Sequence, residues 1–542
     1  MVIRLKKLLL LACAAAVTAA CGGPSTAYRR EINQKIARGD LGGALQQVES
    51  SKSRQYSKKN AVLYYLDRGA LLFDLKRYQD SDLSFAEADR KMEELFTRSI
   101  TRGIGTVVLN DNTTEYGGES FERAIMHTYR AMNYVMQDNI DEALVEARRV
   151  SSYLARYSQF MQGKSGYIDS PFAQYLTAML YEESGNTDDA RISYDAFKKA
   201  ISGNFSYLRL SDSSSSVPNA RPSRDSDGSA RGGQNSLRKG RRRRAAALND
   251  SFDDLMDDGS SADSAQKTDS AAINNSFDDL MQEKPKPARP ARQSIAKSID
   301  NLFGVPAYKD LSAGGVGEIV LLHYNGPAPM KVSKTYQVAW DTARTYVAQT
   351  GERDQKYEDA IRAGFTRHAI TVAYPEYTQQ PYNIMSSRIS VADSSADSLL
   401  MEDISKDAYT TLDAKKNAIW ARAVARATIK FVVAEAAAEA ARKAAEEAFK
   451  KNGNNSPFGS LIGGLASGLV RGGVAATEIA DTRGWTTVPA QIRMARMTAE
   501  PGTHNVTVQF LNGAGMVIGQ QVFENIEVKA GKRTYLHVRT AM

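Results

Sequence analysis

Small residues recur at matching places in a helical pattern that runs from Tyr28 to about Ile201, and this recurrence constrains the fold of the chain. In one unit Gly69 and Ser81 stand where two helices would cross, and Phe85 stands where a large side chain fills the groove beside them. The residues equivalent to Ser81 in the other units are Ala44, Ala143 and Ala190. The pattern therefore predicts four helical hairpins stacked in sequence.

The size and spacing of these units are similar to those of tetratricopeptide repeats, but the spacing is irregular. Successive central positions are 37, 62 and 47 residues apart, whereas a regular array of this kind repeats about every 34 residues. The excess falls in Leu95–Glu119, a loop-rich insertion that contains Asn110 and Asp111. Two interpretations stay open for these residues: a cover for the edge of the array, or a ligand site.

The N-terminus is typical of a bacterial lipoprotein. A short basic start is followed by the apolar run Leu8–Ala20, which is too short to span a bilayer and ends in small residues before Cys21. We therefore predict a signal peptide at residues 1–20 and lipid attachment at Cys21. Cys13 is also preceded by residues that match a lipoprotein cleavage site, but cleavage there would leave an apolar run too short for the core of a signal peptide.

The cysteine content and the residue after the anchor limit the location of the protein. Cys13 and Cys21 are the only cysteines, so neither a disulfide framework nor a thiolate metal site is expected. Gly22 replaces the Asp that favours retention in the inner membrane, which predicts an outer-membrane lipoprotein facing the periplasm. The formal net charge of +8 over 542 residues is too small to indicate a nucleic-acid partner.

Composition changes abruptly after the helical region, and we predict a disordered linker at residues 204–306. Ser, Asp, Arg, Gly and Pro dominate Ser211–Ser236, so little apolar surface is present to offset the entropy of ordering. A basic run at Arg238–Arg244 and an acidic stretch follow. The basic run is either a contact for anionic lipids or polymers, or a solvated block paired with its acidic neighbour.

A short phrase recurs within this linker. Ser-Phe-Asp-Asp-Leu-Met occurs at Ser251–Met256 and again at Ser276–Met281, and a degenerate copy stands at Ser298–Phe303. Each copy resembles a one-turn amphipathic docking peptide. The candidate interaction residues are Phe252, Leu255, Phe277 and Leu280. Local duplication without a function is the alternative.

The region after the linker, residues 307–542, is predicted to be mixed. Strands are expected at Glu318–Tyr324 (ending in the turn Asn325–Pro327), Ala369–Tyr374 and Arg388–Val391. Long helices should follow at 399–479, the first from near Leu399 to Lys451. A small antiparallel β module is expected at 486–542. The predicted fold class is thus α+β: a helical domain at 21–203, the linker, and this mixed domain.

The apolar segment Phe458–Ile479 carries glycines at four- and five-residue spacing. Such spacing lets helices approach closely. We expect it to form a second arm that packs back on the Ala-rich helix; membrane contact and self-association through this segment are the alternatives.

The chain resembles a poorly characterised family of bacterial tetratricopeptide-like envelope lipoproteins. The resemblance rests on the hairpin repeats, the phrase Tyr116–Arg123, the strand and turn at Glu318–Pro329, and the segments Ala480–Trp485 and Pro501–His504. It implies an envelope location and this architecture, and no catalytic residues. The long linker departs from the family pattern.

Motifs for catalysis are weak throughout the sequence. Gly163-Lys164-Ser165 ends like a phosphate-binding loop, but Ser158 stands where the first glycine is needed. The five histidines form no His-x-x-x-His pair. We therefore predict an adaptor without catalysis or cofactor, which binds another envelope protein through its helical array. The alternatives are a self-assembling envelope component that uses 458–479, and a cell-wall enzyme without recognisable motifs.

Overall fold

The computed structural model describes residues 23–102, 114–161, 166–167, 169–202, 302–350, 369–451 and 480–542. Twelve α-helices lie in these ranges: α1 Thr26–Ala37, α2 Leu41–Ser50, α3 Ala61–Asp74, α4 Tyr78–Arg102, α5 Ser120–Val135, α6 Ile140–Phe160, α7 Pro171–Glu183, α8 Thr187–Ser202, α9 Tyr308–Leu311, α10 Trp340–Thr350, α11 Ile404–Ala414 and α12 Lys416–Lys451. None of these helices combines the length and apolar character needed to cross a membrane.

Ten strands lie in the C-terminal part of the described chain: β1 Gly317–Pro327, β2 Met330–Ala339, β3 Ala369–Thr378, β4 Ser386–Val391, β5 Ser394–Asp397, β6 Leu399–Glu402, β7 Pro489–Ala499, β8 Gly502–Leu511, β9 Val517–Val528 and β10 Arg533–Thr540. They form a first sheet of order β10-β1-β7-β6, a second of order β5-β4-β8-β9, and the ribbon β2-β3. The predicted mixture of helices and strands is therefore confirmed.

Neighbouring helices of the N-terminal part pack in pairs, α3 with α4, α5 with α6 and α7 with α8. Gly69 of α3 lies against the ring of Phe85 on α4, and a Cβ at residue 69 would come within 2.7 Å of that ring. The hydroxyl of Ser81 donates a hydrogen bond to the Gly69 carbonyl at 2.8 Å. Small residues thus stand at this helix crossing, as the sequence pattern predicts.

Strand β1 lies at the centre of the fold, with both faces buried. Val320, Leu322 and Tyr324 pack against the core of the helices, whereas Ile319 and Leu321 pack against the second sheet. Side chains alternate between the two faces of a strand, so a strand that is apolar at successive positions is covered on both sides. The helices, the first sheet and the second sheet form three successive layers.

The pairing of β1 corrects two predictions. The strand continues through Asn325–Pro327, where we expected a turn, because Asn325 pairs with both Gln491 of β7 and Thr540 of β10. The predicted small antiparallel β module at 486–542 is wrong in part: β8 and β9 do pair antiparallel, but β7 and β10 belong to a different sheet. β10 runs parallel to β1 in the first sheet, and β8 pairs with β4 in the second. Strands distant in sequence are thus interleaved in both sheets.

The predicted long helix begins later than expected and is interrupted. Leu399 and Leu400 belong to β6 and pair with Met494 and Arg493 of β7. Asp403 then caps α11 by accepting a hydrogen bond from the Lys406 amide at 3.1 Å, because an N-cap carboxylate satisfies an amide that has no partner within the helix. The expected second arm at 458–479 lies outside the described residues.

The helical range and the mixed range share one hydrophobic core, which includes Phe73, Tyr129, Tyr324 and Trp485. The described residues within 23–202 and 302–542 accordingly belong to one compact unit. After the linker, the first residue that the structure describes is Leu302, five residues before the predicted start of the C-terminal domain. The rest of the predicted linker lies outside the described residues.

Candidate functional site

All the site residues predicted from the sequence lie outside the described residues. They are Cys21, Asn110, Asp111, Phe252, Leu255, Phe277 and Leu280. The site is therefore built from the polar and aromatic groups that the fold brings together elsewhere.

A buried loop joins the two halves of the chain. Arg483 is 2% exposed, and its guanidinium donates to the Thr114 carbonyl at 2.8 Å and to Asn60 Oδ1 at 3.3 Å, while pairing with Asp481 at 2.8 Å. Arg29 of α1 donates to the Thr482 carbonyl at 2.8 Å. The segment from Ala480 to Trp485, one of those behind the family resemblance, is thus held by the helices.

Two buried carboxylates hold the next residues of this loop. Asp67 of α3 accepts hydrogen bonds from the amides of Thr486 and Thr487 at 3.0 and 2.9 Å, and from the Tyr56 hydroxyl at 2.8 Å. Burial raises the pKa of Asp67 to about 6, although these hydrogen bonds oppose the rise. Glu122 of α5 accepts from the Trp485 amide at 2.7 Å. Both carboxylates are structural acceptors for main-chain amides.

Glu119, at the N-cap of α5, carries two ammonium partners. Lys331 of β2 binds one carboxylate oxygen, and Lys415, at the break between α11 and α12, binds the other at 2.8 Å. Burial would raise the pKa of Glu119, but the two lysines hold it well below its usual range. The cluster fastens three distant segments and carries one excess positive charge.

An ionic cluster joins α4, α5 and α6. His127 Nδ1 lies 2.8 Å from Glu146 Oε2, and its Nε2 lies 3.5 Å from Asp89 Oδ1. Arg123 pairs with Asp89 at 2.8 Å, and Arg130 with Glu146 at 2.9 Å. Burial would raise the pKa of Asp89, but the hydrogen bond and charge of His127, together with Arg123, hold it below its usual range. These groups hold one another between the helices.

A second pair of acids lies between β6 and α11. Glu402 accepts from the Tyr167 hydroxyl at 2.9 Å, from the Ser170 hydroxyl at 2.8 Å and from the Phe172 amide at 3.0 Å. Burial raises the pKa of Glu402 to about 7. Burial and the charge of Glu402 raise the pKa of Asp407 well above its usual value. Both residues are buried, so the pair is not placed to meet a substrate from solvent.

A third cluster lies under the end of the helical array. Glu318 of β1 is fully buried and binds Arg496 of β7 and, at 2.9 Å, Arg533 of β10. Burial would raise the pKa of Glu318, but the two guanidinium groups hold it below its ordinary value. Arg496 also donates to the Tyr175 hydroxyl, and Arg533 donates to the Met179 carbonyl at 2.8 Å. Both arginines thereby join the first sheet to α7.

A cleft of about 590 Å³ opens above this cluster, and we call it the α7–α8 cleft. The buried ring of Tyr175 is part of its wall, with centroid distances of 5.3 Å to Tyr194, 4.9 Å to Phe197 and 5.6 Å to Phe303. The Arg496 guanidinium lies 5.6 Å from the Phe303 ring centroid. The apolar side chains that line the cleft include Leu302, Val305, Pro306 and Tyr308. Its volume and aromatic walls suit apolar side chains of a docked peptide.

The rim of the α7–α8 cleft is basic. Arg191, Lys198 and Lys309 line it, together with the acids Glu182 and Asp195, whereas the lining residue Arg496 is buried. Lys198 pairs with Asp195 at 3.5 Å, and Glu182 pairs with Arg533. In the part of the chain that the structure describes, Arg191 and Lys309 make no ion pair, and both are exposed. The cleft therefore favours a ligand that combines apolar anchors with negative charge.

The α7–α8 cleft is not apparent from the sequence. Its walls come from α7, α8, β7 and the chain at 302–309, which are far apart in sequence. Leu302 and Phe303, assigned above to the linker, are the last two residues of the degenerate phrase and lie on the cleft wall. The recurrence of that phrase was the one feature of the sequence that pointed to these two wall residues.

Within the described ranges, no group of three or more His, Cys, Asp or Glu side chains is arranged to hold a metal ion. No protein-family model matches the chain, and no curated protein is detectably similar to it.

Proposed function

We propose that the protein is a lipid-anchored adaptor of the bacterial envelope, which binds another envelope protein at the α7–α8 cleft without catalysing a reaction. The observation that carries this proposal is the combination of an open aromatic cleft with the exposed cations Arg191 and Lys309. The charged clusters at Glu119, His127 and Glu402 are buried and engaged with their own neighbours. The α7–α8 cleft, in contrast, offers aromatic walls and exposed cations to a partner.

The finer description of the helices belongs to the same proposal. We regard the array as tetratricopeptide-like, supported by the close contact between Gly69 and Phe85 and by the paired packing of successive helices. Stacked helical hairpins bind peptides and helices through surfaces between repeats, without a reactive side chain. The last hairpin, α7 and α8, supplies the aromatic walls of the cleft.

The chemistry of the cleft defines the expected partner. Aromatic walls take one or two large apolar side chains, and the basic rim attracts carboxylates beside them. The partner should therefore present a short acidic segment with aromatic or aliphatic anchors. Attachment through Cys21 would hold the adaptor at the membrane, where two-dimensional confinement favours weak contacts.

Site-specific photocrosslinking in intact cells tests the adaptor function. A photoreactive residue in place of Lys309 should capture a partner whose crosslinked peptide is acidic and contains an apolar anchor. The same residue in place of exposed Lys58, away from the cleft, is the matched control. Capture of the same proteins from both positions, or of none from Lys309, would contradict the proposal.

The anchor has its own test. A palmitate analogue should label the wild type, and Cys21→Ala should abolish both the label and membrane fractionation. Label that survives in Cys21→Ala would move the attachment to Cys13.

A self-assembling envelope component is the second candidate, and one observation favours it. β9 is an edge strand of the second sheet, and three of its apolar residues are exposed, Val517 48%, Ile518 43% and Val522 46%, as is Met516 directly before it, 60%. Unpaired edges with apolar side chains pair readily with another strand. Measurement of the mass of the protein in solution separates the two candidate functions. A ring or filament would favour the self-assembling component, whereas a monomer would favour the adaptor.

A further inference from the structure

We propose that a polar pocket between α1 and α2 binds the headgroup of an anionic phospholipid, phosphatidylglycerol, and thereby holds the first helical hairpin against the membrane surface. We call it the α1–α2 pocket. The inference rests on the proposed function in one respect, because it gives the lipid-anchored protein a second contact with its membrane. Its test uses a chain without the anchor, so that the two proposals can fail separately.

The α1–α2 pocket has a volume of about 610 Å³ and lies between α1, α2 and the turn Lys52–Tyr56. At one end of the helix pair, Lys35 Nζ donates a hydrogen bond to the Gly43 carbonyl at 3.3 Å. At the other end, the Ser25 amide donates to Gln55 Oε1 at 3.2 Å. These bonds join the walls around a space within the size range of small-molecule sites, about 300–1,000 Å³.

The lining of the pocket is polar, unlike that of the α7–α8 cleft. It includes the cations Lys35 and Arg54, the acid Glu31 and the amide side chains of Gln46 and Gln47. Among the described residues, neither cation makes an ion pair, and Arg54 is exposed. Arginine and lysine bind phosphate oxygens, whereas carboxylates and amides accept hydrogen bonds from hydroxyl groups. A ligand that carries a phosphate and free hydroxyl groups matches this set, and the headgroup of phosphatidylglycerol has both.

The positive charge of the chain is concentrated in the segment that forms the pocket. Residues 23–60 contain eight Lys or Arg and three Asp or Glu, whereas residues 61–542 contain 59 of each sign. One of the three acids, Glu49, pairs with Arg68 at 2.8 Å. An anionic membrane surface attracts a cluster of this kind. The cations of the segment that are exposed are Arg30, Arg38, Lys52, Arg54 and Lys58.

The predicted lipid attachment stands beside the pocket in the sequence. Ser25, which lines the pocket, follows Cys21 by four residues, and the described chain begins at Gly23, between the two. A lipid on Cys21 is therefore joined covalently to the chain next to the pocket. Both the charge of the segment and this position favour a membrane phospholipid as the occupant.

Vesicle binding by the chain from residue 21 with Cys21→Ala tests the contact with the membrane. In co-sedimentation it should bind vesicles that contain phosphatidylglycerol at least about tenfold more tightly than vesicles of phosphatidylcholine alone. Lys35→Gln/Arg54→Gln should abolish this preference. Arg30→Gln/Lys58→Gln removes the same charge outside the pocket and should retain most of the preference. Equal binding to the two kinds of vesicle, or equal losses in the two double variants, would overturn the proposal.

Recognition of the headgroup is tested without a membrane. In titration calorimetry, dihexanoylphosphatidylglycerol below its micellar concentration should bind the same chain at least about tenfold more tightly than dihexanoylphosphatidylcholine. Ser50→Trp fills the pocket without a change of charge and should remove this binding. Ser53→Trp, at an exposed residue that does not line the pocket, is the matched control.

Two results of this titration contradict the proposal. Inorganic phosphate that binds as tightly as the lipid would show a site for phosphate rather than for a phospholipid. Equal binding by the two Trp variants would place the ligand outside the pocket.

The anchor and the pocket can be separated by their outcomes. If a palmitate analogue labels Cys21 but the Cys21→Ala chain shows no preference for phosphatidylglycerol, the lipid anchor stands and this inference fails. If the preference is present while Cys21 stays unlabelled, this inference stands and the lipid anchor of the proposed function fails.

Discussion

The Trp485 amide donates a hydrogen bond to the Glu122 carboxylate at 2.7 Å, across 363 residues of sequence. Glu122 also accepts from the Tyr116 hydroxyl at 2.7 Å and from the Glu119 amide at 2.9 Å. Two of the phrases behind the family resemblance, Tyr116–Arg123 and Ala480–Trp485, thus meet at one carboxylate. Their juxtaposition fastens the helices to the loop that leads into β7.

Replacing Glu122 with Gln should destabilise the fold strongly. The amide nitrogen of Gln would face one of three buried donors, and an unsatisfied buried polar group costs about 1–3 kcal/mol. We expect a loss of about 2–3 kcal/mol in the free energy of unfolding, measured by urea denaturation followed through tryptophan fluorescence. Glu142→Gln, on an exposed face of α6, is the control. Equal midpoints for both variants would contradict the role assigned to Glu122.

Local features of the fold could be predicted from the sequence because local spacing determines them. Gly69, Ser81 and Phe85 are neighbours on two consecutive helices, so helical periodicity is sufficient to place them. The parallel pairing of β1 with β10 is different, since Val320 and Tyr535 are 215 residues apart. No residue near either strand indicates that neighbour.

The missed features have a common physical cause. The sequence around Leu399 and Leu400 is compatible with a helix, but in the structure these residues form a strand because they pair with β7. The ribbon strand β2 was missed because several of its side chains between Lys331 and Val338 are polar and exposed. The candidate cleft depends on four segments that tertiary packing brings together. Tertiary contacts, rather than propensity, determine each of these features.

The buried Asp74 predicts a fall in stability as pH rises. Burial raises its pKa to about 7, Arg539 opposes this only from 3.8 Å, and Asp74 Oδ1 has no hydrogen-bond partner among the described residues. The folded protein therefore binds more protons than the unfolded chain between about pH 4 and 7. The stability that protonated Asp74 contributes is fully present below the pKa of Asp in the unfolded chain. It is lost as the pH rises through the raised pKa of Asp74 in the folded protein.

Asp74→Asn should accordingly flatten the pH profile of stability. The contribution of one such group approaches about 1.4 kcal/mol per pH unit. Urea midpoints between pH 4 and 8 should fall less steeply for the variant than for the wild type, with the variant relatively more stable above pH 7. Exposed Asp141→Asn is the control. Parallel profiles for wild type and Asp74→Asn would show that Asp74 is ionised throughout this range.

Because Glu119 is shared by two lysines, replacing Glu119 should cost more stability than replacing Lys415. Glu119→Gln leaves Lys331 and Lys415 buried without their counter-charge, and breaking a buried pair in this way costs about 3–5 kcal/mol. Lys415→Met removes the excess charge and leaves the pair of Glu119 with Lys331, so it should cost only about 1 kcal/mol. Chemical denaturation of both variants, with Lys416→Met as the neighbouring control, measures the difference. Equal losses would mean that the cluster does not act as a unit.

The open edge of β9 predicts a surface that controls self-association. Val522 is 46% exposed and pairs with Thr507 of β8 on the face opposite Phe523, so a lysine there would not enter the core. Val522→Lys should lower the self-association constant at least tenfold, because a charge on an edge strand opposes pairing with another chain. Sedimentation velocity over a range of concentrations measures it, and Leu83→Lys, at an apolar residue of α4 that is 67% exposed, is the matched control. If the wild type stays monomeric, or if both lysine variants associate as it does, the edge of β9 is not an assembly surface.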